Sequence, residues 1–535
     1  MRTSRLTAVV SVALLLGTTL AACSSSDSGG GGGGGGTVSI GISEPEFLVP
    51  SNTVESNGTQ VIVALFTPLV TFDNEGKPIM AAAESVTSSD QRVWTIKLKS
   101  GWTFHNGEPV TADNYINAWN YASYGPNAQI GTNFFERIEG YDSMQSTGNA
   151  APKAKTLTGL KKIDDQTFQV TLTKPFAEFE KVIGYNVFYP LPKAAFSADG
   201  KVTDTYQQAP IGQGPFKMKG VWNHNQNIEV EAYSNYQGTK PKVSGINFKM
   251  YQDQNTMYND LIAGNLDVQP TIPASKIAAA QADLGDRFKK TPSSYFGFIT
   301  VPDYIKAYNI NIRRAISMAF DRKEITDKIF QGTYTPATSW VSPIVQGYRP
   351  DVCGQNCTYN PTMAKQLWTQ AGGVPGNKIS LYYNSDGGHK EWVDAVCNQL
   401  KANLGVECVG SPVAQFADLR KQARAKTLQG LLRGAWSFDY PSIEDYLTPL
   451  YGTGAPSNDS AYSNPTFDQT IAKADSSTSE ADAIKEYQAA EDIVAKDMPV
   501  IPTWYRQNVY GYSTNMSNVN VDLFANVDVV TLETQ

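Results

Sequence analysis

The chain has 535 residues, 41% of them hydrophobic and 18% charged, which excludes global disorder and predicts about two to four domains. Its 51 acidic and 44 basic residues leave a net charge of −7, which excludes the basic footprint of a nucleic-acid-binding protein. No run of about 18 apolar residues occurs, so no membrane-spanning helix is predicted. His105, His224 and His389 lie far apart in sequence and outside any zinc-protease spacing, so neither a metal nor a cofactor is expected. The 27 tyrosines and 9 tryptophans suit a protein that recognises something through aromatic surfaces.

Residues 1–22 read as an export signal, with Arg2 and Arg5 in front of an apolar run that ends in small residues. The stretch Leu20-Ala21-Ala22-Cys23 resembles the lipobox of bacterial lipoproteins, which implies that Cys23 becomes the first mature residue and carries a diacylglycerol. Serines and the eight glycines Gly29 to Gly36 follow. Polyglycine has no side chain to bury and much backbone entropy to lose, so residues 23–36 are expected to form a flexible tether.

Residues 37–43 read as a strand. Residues 93–99 alternate, with Trp94, Ile96 and Leu98 on one face. Thr111 is expected to cap a helix after the turn dipeptide Asn106-Gly107, and His105 reads as structural. Ile312, Ala315, Ile316, Ala319 and Phe320 recur at helical spacing and predict one helix over 311–330. Asn360-Pro361 and Asn464-Pro465 each start a helix, the first of which Gly372-Gly373 ends. Residues 378–383, 391–403 and 406–409 predict a β-α-β crossover, and residues 479–497 a late helix stopped by Pro499. Four further cysteines fit an exported chain, and they allow three connectivities. The local pairing, Cys353 with Cys357 and Cys397 with Cys408, is preferred because each pair closes a short loop.

One pattern spans nearly the whole chain after the tether. The run from Trp94 through Gly101, Phe104-His105-Asn106-Gly107 and Pro109 to Asp113 resembles the signature of the family 5 extracellular solute-binding proteins, which serve ABC transporters. Leu65-Phe66-Thr67-Pro68-Leu69-Val70, Gly212-Gln213-Gly214-Pro215-Phe216, residues 255–267 and Ile312-Arg313-Arg314-Ala315-Ile316 with Asp321-Arg322 match further family segments in order. The resemblance implies an α/β, two-lobed periplasmic-binding-protein-like fold of the cluster C type with an extra subdomain. Lobe I is then expected over 37–66, 206–300 and 501–535, the extra subdomain over 67–205, and lobe II over 301–500.

Leu432 to Pro441 is similar to the peptide-holding segment of the oligopeptide-binding members. By that likeness Asp439 falls on the carboxylate that pairs with a peptide α-ammonium, and Arg433 on a base that receives the peptide carboxylate. Ala435, Trp436 and Ser437 fall on the strand that bonds the ligand main chain. Along one strand, Arg433 and Asp439 would share a face about 20 Å apart. Ser437 stands where the family has cysteine, and Phe438 where it has a small residue. His389 falls on a histidine facing the far end of a longer peptide, and Glu55 on an acid in a loop that closes over the ligand. Trp504 and Tyr505 are expected to line the cleft where the last strands return to lobe I.

The resemblance implies a non-enzymatic, lipid-anchored receptor on the outer face of the bacterial cell membrane, monomeric, which captures oligopeptides and delivers them to an ABC permease. Dipeptide, nickel or haem ligands are the alternatives on the same scaffold. A secreted hydrolase is the alternative of another class, although no nucleophile motif supports it.

Overall fold

The computed structural model describes residues 35–146, 148 and 150–535. The export signal, Cys23 and most of the glycine tether lie outside the described residues. The last two tether glycines do not: the first strand runs Gly35–Ile42, starting earlier than the sequence predicts, and lies parallel to Val243–Met250.

Most element boundaries follow from caps. Asn360 accepts the Met363 N–H at 3.0 Å and opens the helix Pro361–Gln370. Asn464 accepts the Thr466 N–H at 2.9 Å to open Pro465–Asp475, and Ser479 caps Glu480–Asp497 through the Asp482 N–H. The helix expected over 311–330 is instead two, Ile310–Met318 and Arg322–Lys328. Asp321 breaks it, because its carboxylate accepts the Glu324 N–H at 3.0 Å and starts a new helix there. The apolar period runs on across the break, which is why the pattern reads as continuous.

Among the described residues, eleven strands form one mixed sheet. Its order is Glu407–Val413, Lys378–Asn384, Leu431–Trp436, Phe288–Thr300, Val500–Tyr512, Val268–Gln269, Gly35–Ile42, Val243–Met250, Asn227–Ala232 and Phe216–Met218, with Tyr334–Pro336 branching onto Val500–Tyr512. The first two strands are parallel and joined by the helix Lys390–Leu404, as the crossover predicts. Two strands of 13 residues, Phe288–Thr300 and Val500–Tyr512, run antiparallel down the middle.

These long strands serve different cores along their length. Phe296, Ile299, Ile501, Trp504 and Tyr505 belong to an apolar cluster with residues of 308–498. Tyr510 and Tyr512 belong to another with residues of 38–268, and Val509 to a small cluster with Met257, Leu261 and Ile272. Residues 293–295 and 506–508 are therefore the crossing between two lobes, and the pairing register shifts there between Pro292 and Phe296. The stretch 67–205 has its own antiparallel sheet of four strands, in which Trp94, Ile96 and Leu98 are buried on one face. Its buried side chains are nonetheless continuous with those of the first lobe.

Two disulfides join the cysteine pairs in the local arrangement, Cys353–Cys357 and Cys397–Cys408. The second ties the crossover helix to the edge strand, and both lie in the second lobe.

The distant motifs of the sequence meet at one knot. His105 Nδ1 accepts the Gly212 N–H at 3.1 Å, and its Nε2 lies 3.2 Å from the Gly214 carbonyl oxygen. Burial pushes the imidazole down to about 4, so it stays neutral and can do both jobs. Gly214 N–H donates in turn to the Leu65 carbonyl at 2.8 Å. A Cβ on Gly214 would stand 2.4 Å from the Leu65 carbonyl carbon and the Phe66 nitrogen, backbone atoms that cannot step aside. Gly214→Ala is therefore expected to cost about 1–3 kcal/mol or more in urea unfolding. Gly36→Ala, where nothing lies within 4 Å, should leave the midpoint near wild type.

Candidate ligand-binding site

A cavity of about 770 Å³ opens where the lobes face each other. The first lobe contributes the start of the helix Ser56–Leu65 and residues 270–274. The crossing contributes Ser293, Ser294, Arg506, Gln507 and Asn508, and the second lobe Gly387, Ser437, Phe438 and Asp439. A further cavity of about 900 Å³ adjoins it on the first-lobe side, with Thr59, Tyr185, Leu523, Phe524 and Asn526 lining both.

The strand Leu431–Trp436 ends short of Asp439. It pairs with Phe288–Thr300 from Leu432 to Trp436, but with Lys378–Asn384 only at Leu431 and Leu432. From Arg433 to Trp436 it has a strand on one side and none on the other among the described residues. Beyond Trp436 the chain bends, and Asp439 N–H donates to Asp445 Oδ2 at 2.8 Å, which also accepts the Trp436 indole N–H at 3.2 Å. The premise of one strand carrying both Arg433 and Asp439 on a single face is thus corrected: the bend made by Asp445 intervenes.

Asp439 is half-buried at the cavity wall and Asp445 is buried behind it. Burial pushes the Asp439 carboxyl up to about 7. Asp445 is raised well above its ordinary value by burial, with the Asp439 and Glu444 charges adding to it. No lysine, arginine or histidine among the described residues lies within 4.0 Å of either carboxylate. A positive group brought beside two such carboxyls would favour their charged forms. Glu444, next in sequence, faces the other way: it accepts from Arg137 Nη2 at 3.2 Å and from the Tyr440 hydroxyl.

The remaining expected residues divide. Ser437 lines the cavity, whereas Trp436 is half-buried beside Asp445 and Ala435 lines a small pocket under the helix Phe416–Arg424. Glu55 also lines the cavity, but both its oxygens cap a helix, accepting the Asn57 and Gly58 N–H groups at 2.6 Å each. Arg433 Nε donates to Asn384 at 2.9 Å, its guanidinium lies 4.9 Å from the Phe416 ring, and it lines the small pocket with Ala435. His389 Nδ1 accepts the Trp392 indole N–H at 3.1 Å, below the loop whose Gly387 reaches the cavity.

Trp504 and Tyr505 are corrected outright. They are 2% and 5% exposed in the second-lobe core, where Trp504 packs edge-on against Trp392 and Tyr505 Oη accepts the Ser339 N–H at 3.0 Å. They fall on the second-lobe side of the crossing, and the cavity is lined by the residues that follow them, Arg506 to Val509. Arg506 and Asp445 are the site residues missed. A lone charge in the apolar run 500–512 was the available signal for Arg506. Nothing local distinguishes Asp445 from a helix-start acid.

The family model of bacterial extracellular solute-binding proteins, family 5, matches residues 77–458. The chain is 24% identical over 477 residues to the periplasmic murein peptide-binding protein MppA of Escherichia coli, covering 87% of this chain and 86% of that protein. A solved MppA periplasmic murein tripeptide-binding protein in its unliganded open form superposes with a TM-score of 0.80 at 22% identity, over 95% of this chain and 99% of that one. The Haemophilus influenzae OppA complex with the peptide RPPGFSPFR superposes with 0.70 at 23% identity, over 94% and 99%. A two-lobed α/β binding protein with an interlobe cleft is what fold and site define. The chain belongs to the family 5 extracellular solute-binding proteins, which are receptors of ABC transporters and not enzymes.

The raised Asp439 carboxyl has a consequence for stability. An unfolded aspartate releases its proton at about pH 4, whereas folded Asp439 holds it to about 7. Between these values the folded state binds more protons than the unfolded one, so the empty protein loses stability as pH rises through the window. Asp439→Asn escapes that loss. Its advantage over wild type should be absent below about pH 4, grow to about pH 7 and then level off. Urea midpoints across pH 4 to 8 read this, and a pH-independent difference would contradict the desolvated carboxyl.

Proposed function

We propose that the chain captures short extended peptides in the interlobe cleft outside the cytoplasm and presents them to an ABC importer, as a monomer held at the membrane by a lipid on Cys23. The observation that carries the reading is the desolvated Asp439–Asp445 pair at the wall of the interlobe cavity, just past a strand whose edge carries no further strand from Gly434 to Trp436 among the described residues. An extended ligand adds a strand to such an edge through its main chain, which ignores side-chain identity. Its α-ammonium meets the carboxylates and replaces the proton that burial holds there. The names of relatives that bind a murein peptide or a peptide such as RPPGFSPFR support the same class. A bare nickel ion or haem has no use for the strand edge.

Blocking the ammonium tests this. N-acetylation of a bound peptide should weaken wild-type binding about ten- to a hundredfold, the worth of a charge-assisted hydrogen bond. Asp439→Ala should lose a similar factor for the free peptide and little more on acetylation. Calorimetry showing equal wild-type affinity for free and acetylated peptides would move the ligand to another class.

The anchor is independent of ligand. A diacylglycerol holds where a single chain is marginal, at ~0.8 kcal/mol per buried CH₂. Cys23→Ala should therefore give a folded protein that leaves the membrane fraction, read by fractionation and immunoblotting. Retention at the wild-type level would refute the lipid.

A further inference from the structure

The cleft has a positive end that the family motifs do not mark. In the strand Val500–Tyr512, Arg506 is the one exposed residue of the 13, at the crossing between the lobes. Among the described residues it is the sole cation lining the cavity of about 770 Å³, whose other charged residues are Asp439 and Glu55. The adjoining cavity of about 900 Å³ is lined by Asp73, Asp522 and Asp528 and by no lysine, arginine or histidine. No carboxylate among the described residues lies within 4.0 Å of the Arg506 guanidinium. Glu55 offers little, because its oxygens are held by helix N–H groups.

The guanidinium is placed rather than loose. It sits 5.3 Å from the Tyr295 ring, and the backbone beneath it is fixed by the Ser293 hydroxyl, which donates to the Arg506 carbonyl at 2.8 Å. Its backbone is also paired with Tyr334 on the other side. The Arg433 charge also acts on Tyr295. Burial pushes its phenol up to about 12 while both arginine charges oppose the rise. Arg433, however, is turned to Asn384 and the small pocket, and it does not line the cleft cavity.

Resting on the peptide reading above, we propose that Arg506 receives the terminal carboxylate of the ligand, so that the receptor selects short zwitterionic peptides whose two ends fit within one cavity between Asp439 and the crossing strand. The planar fork of arginine matches a carboxylate through two parallel N–H bonds. A ligand that ends at Arg506 stays within the cavity of about 770 Å³, a volume that suits a compact ligand, and the adjoining cavity offers no cation for the carboxylate of a longer one. The carboxylate end is thereby read on the strand that joins the lobes, while the ammonium end is read on the second lobe.

Calorimetry with alanine peptides from dipeptide to pentapeptide, each as free acid and as C-terminal amide, tests the assignment. Wild type should lose roughly ten- to a hundredfold in affinity on amidation. Arg506→Gln should bind the free acid as weakly as wild type binds the amide, and should no longer distinguish the two. Arg506→Lys should recover part of the discrimination, and Arg433→Gln should keep all of it. The acid-to-amide ratio is internal to each variant, so a general loss of binding-competent protein cancels. Full discrimination in Arg506→Gln, or its disappearance in Arg433→Gln, overturns the proposal. A wild type sensitive to N-acetylation alongside either result would sink this assignment only. Indifference to acetylation, or binding of no peptide, would remove the peptide reading and this proposal with it.

Discussion

Everything in the molecule hangs on the antiparallel pairing of Phe288–Thr300 with Val500–Tyr512. The two strands are about 200 residues apart in sequence, yet between them they seat side chains in both large cores and in the small cluster beside the cleft. Non-local pairing of this kind stabilises only after a long loop has closed, so the intervening second lobe has to be compact before the sheet is whole. The same pairing fixes where the cleft can be. Side chains on either side of the crossing are drawn into one core or the other, and Ser293, Ser294 and residues 506–508 are left to face the space between.

The sequence was most legible where the signal is local. Asn-Pro starts, alternation at Trp94, Ile96 and Leu98 and the β-α-β crossover all match observed elements, because caps and periodicity act over a few residues. Local rules also account for the miss at Asp321, where a cap overrode an apolar period that carried on regardless. The site was half legible. Family likeness puts Asp439 at the cleft, but it also puts Trp504 and Tyr505 there, as residues of the strands that return to the first lobe, and they are core. Which side of the crossing a residue falls on depends on the register with a strand about 200 residues away, and no local pattern encodes that. Arg506 was hidden for the same reason, and the spacing of Arg433 from Asp439 fails because the strand ends at Trp436, before the bend that Asp445 makes.

The cleft owes its chemistry to charge left uncompensated. Most ionic groups here follow ordinary practice, as when the buried carboxylate of Glu491 meets Arg349 at 3.0 Å. Asp439 and Asp445 do not, and the molecule carries the cost as a raised carboxyl in place of an ion pair. An incoming cation would offset both the burial penalty and the mutual repulsion, whereas a neutral group would offset neither.

Glu444 and Asp445 are adjacent residues that look in opposite directions, one toward Arg137 and the stretch 67–205, the other toward Asp439. Arg137 also lies 3.6 Å from Asp475 and 3.8 Å over the Phe176 ring, so one guanidinium is shared between two acids of the second lobe from outside it. Were that guanidinium withdrawn, Glu444 would stand uncancelled beside two carboxyls that already repel each other. The added repulsion would fall on Asp445, whose carboxyl the Glu444 charge already helps to raise. Arg137, which does not line the cleft, thus bears on the buried acid behind Asp439 through Glu444. The inserted stretch meets the second lobe twice, lending Arg137 as a counter-ion behind the cleft and Tyr185 to its wall.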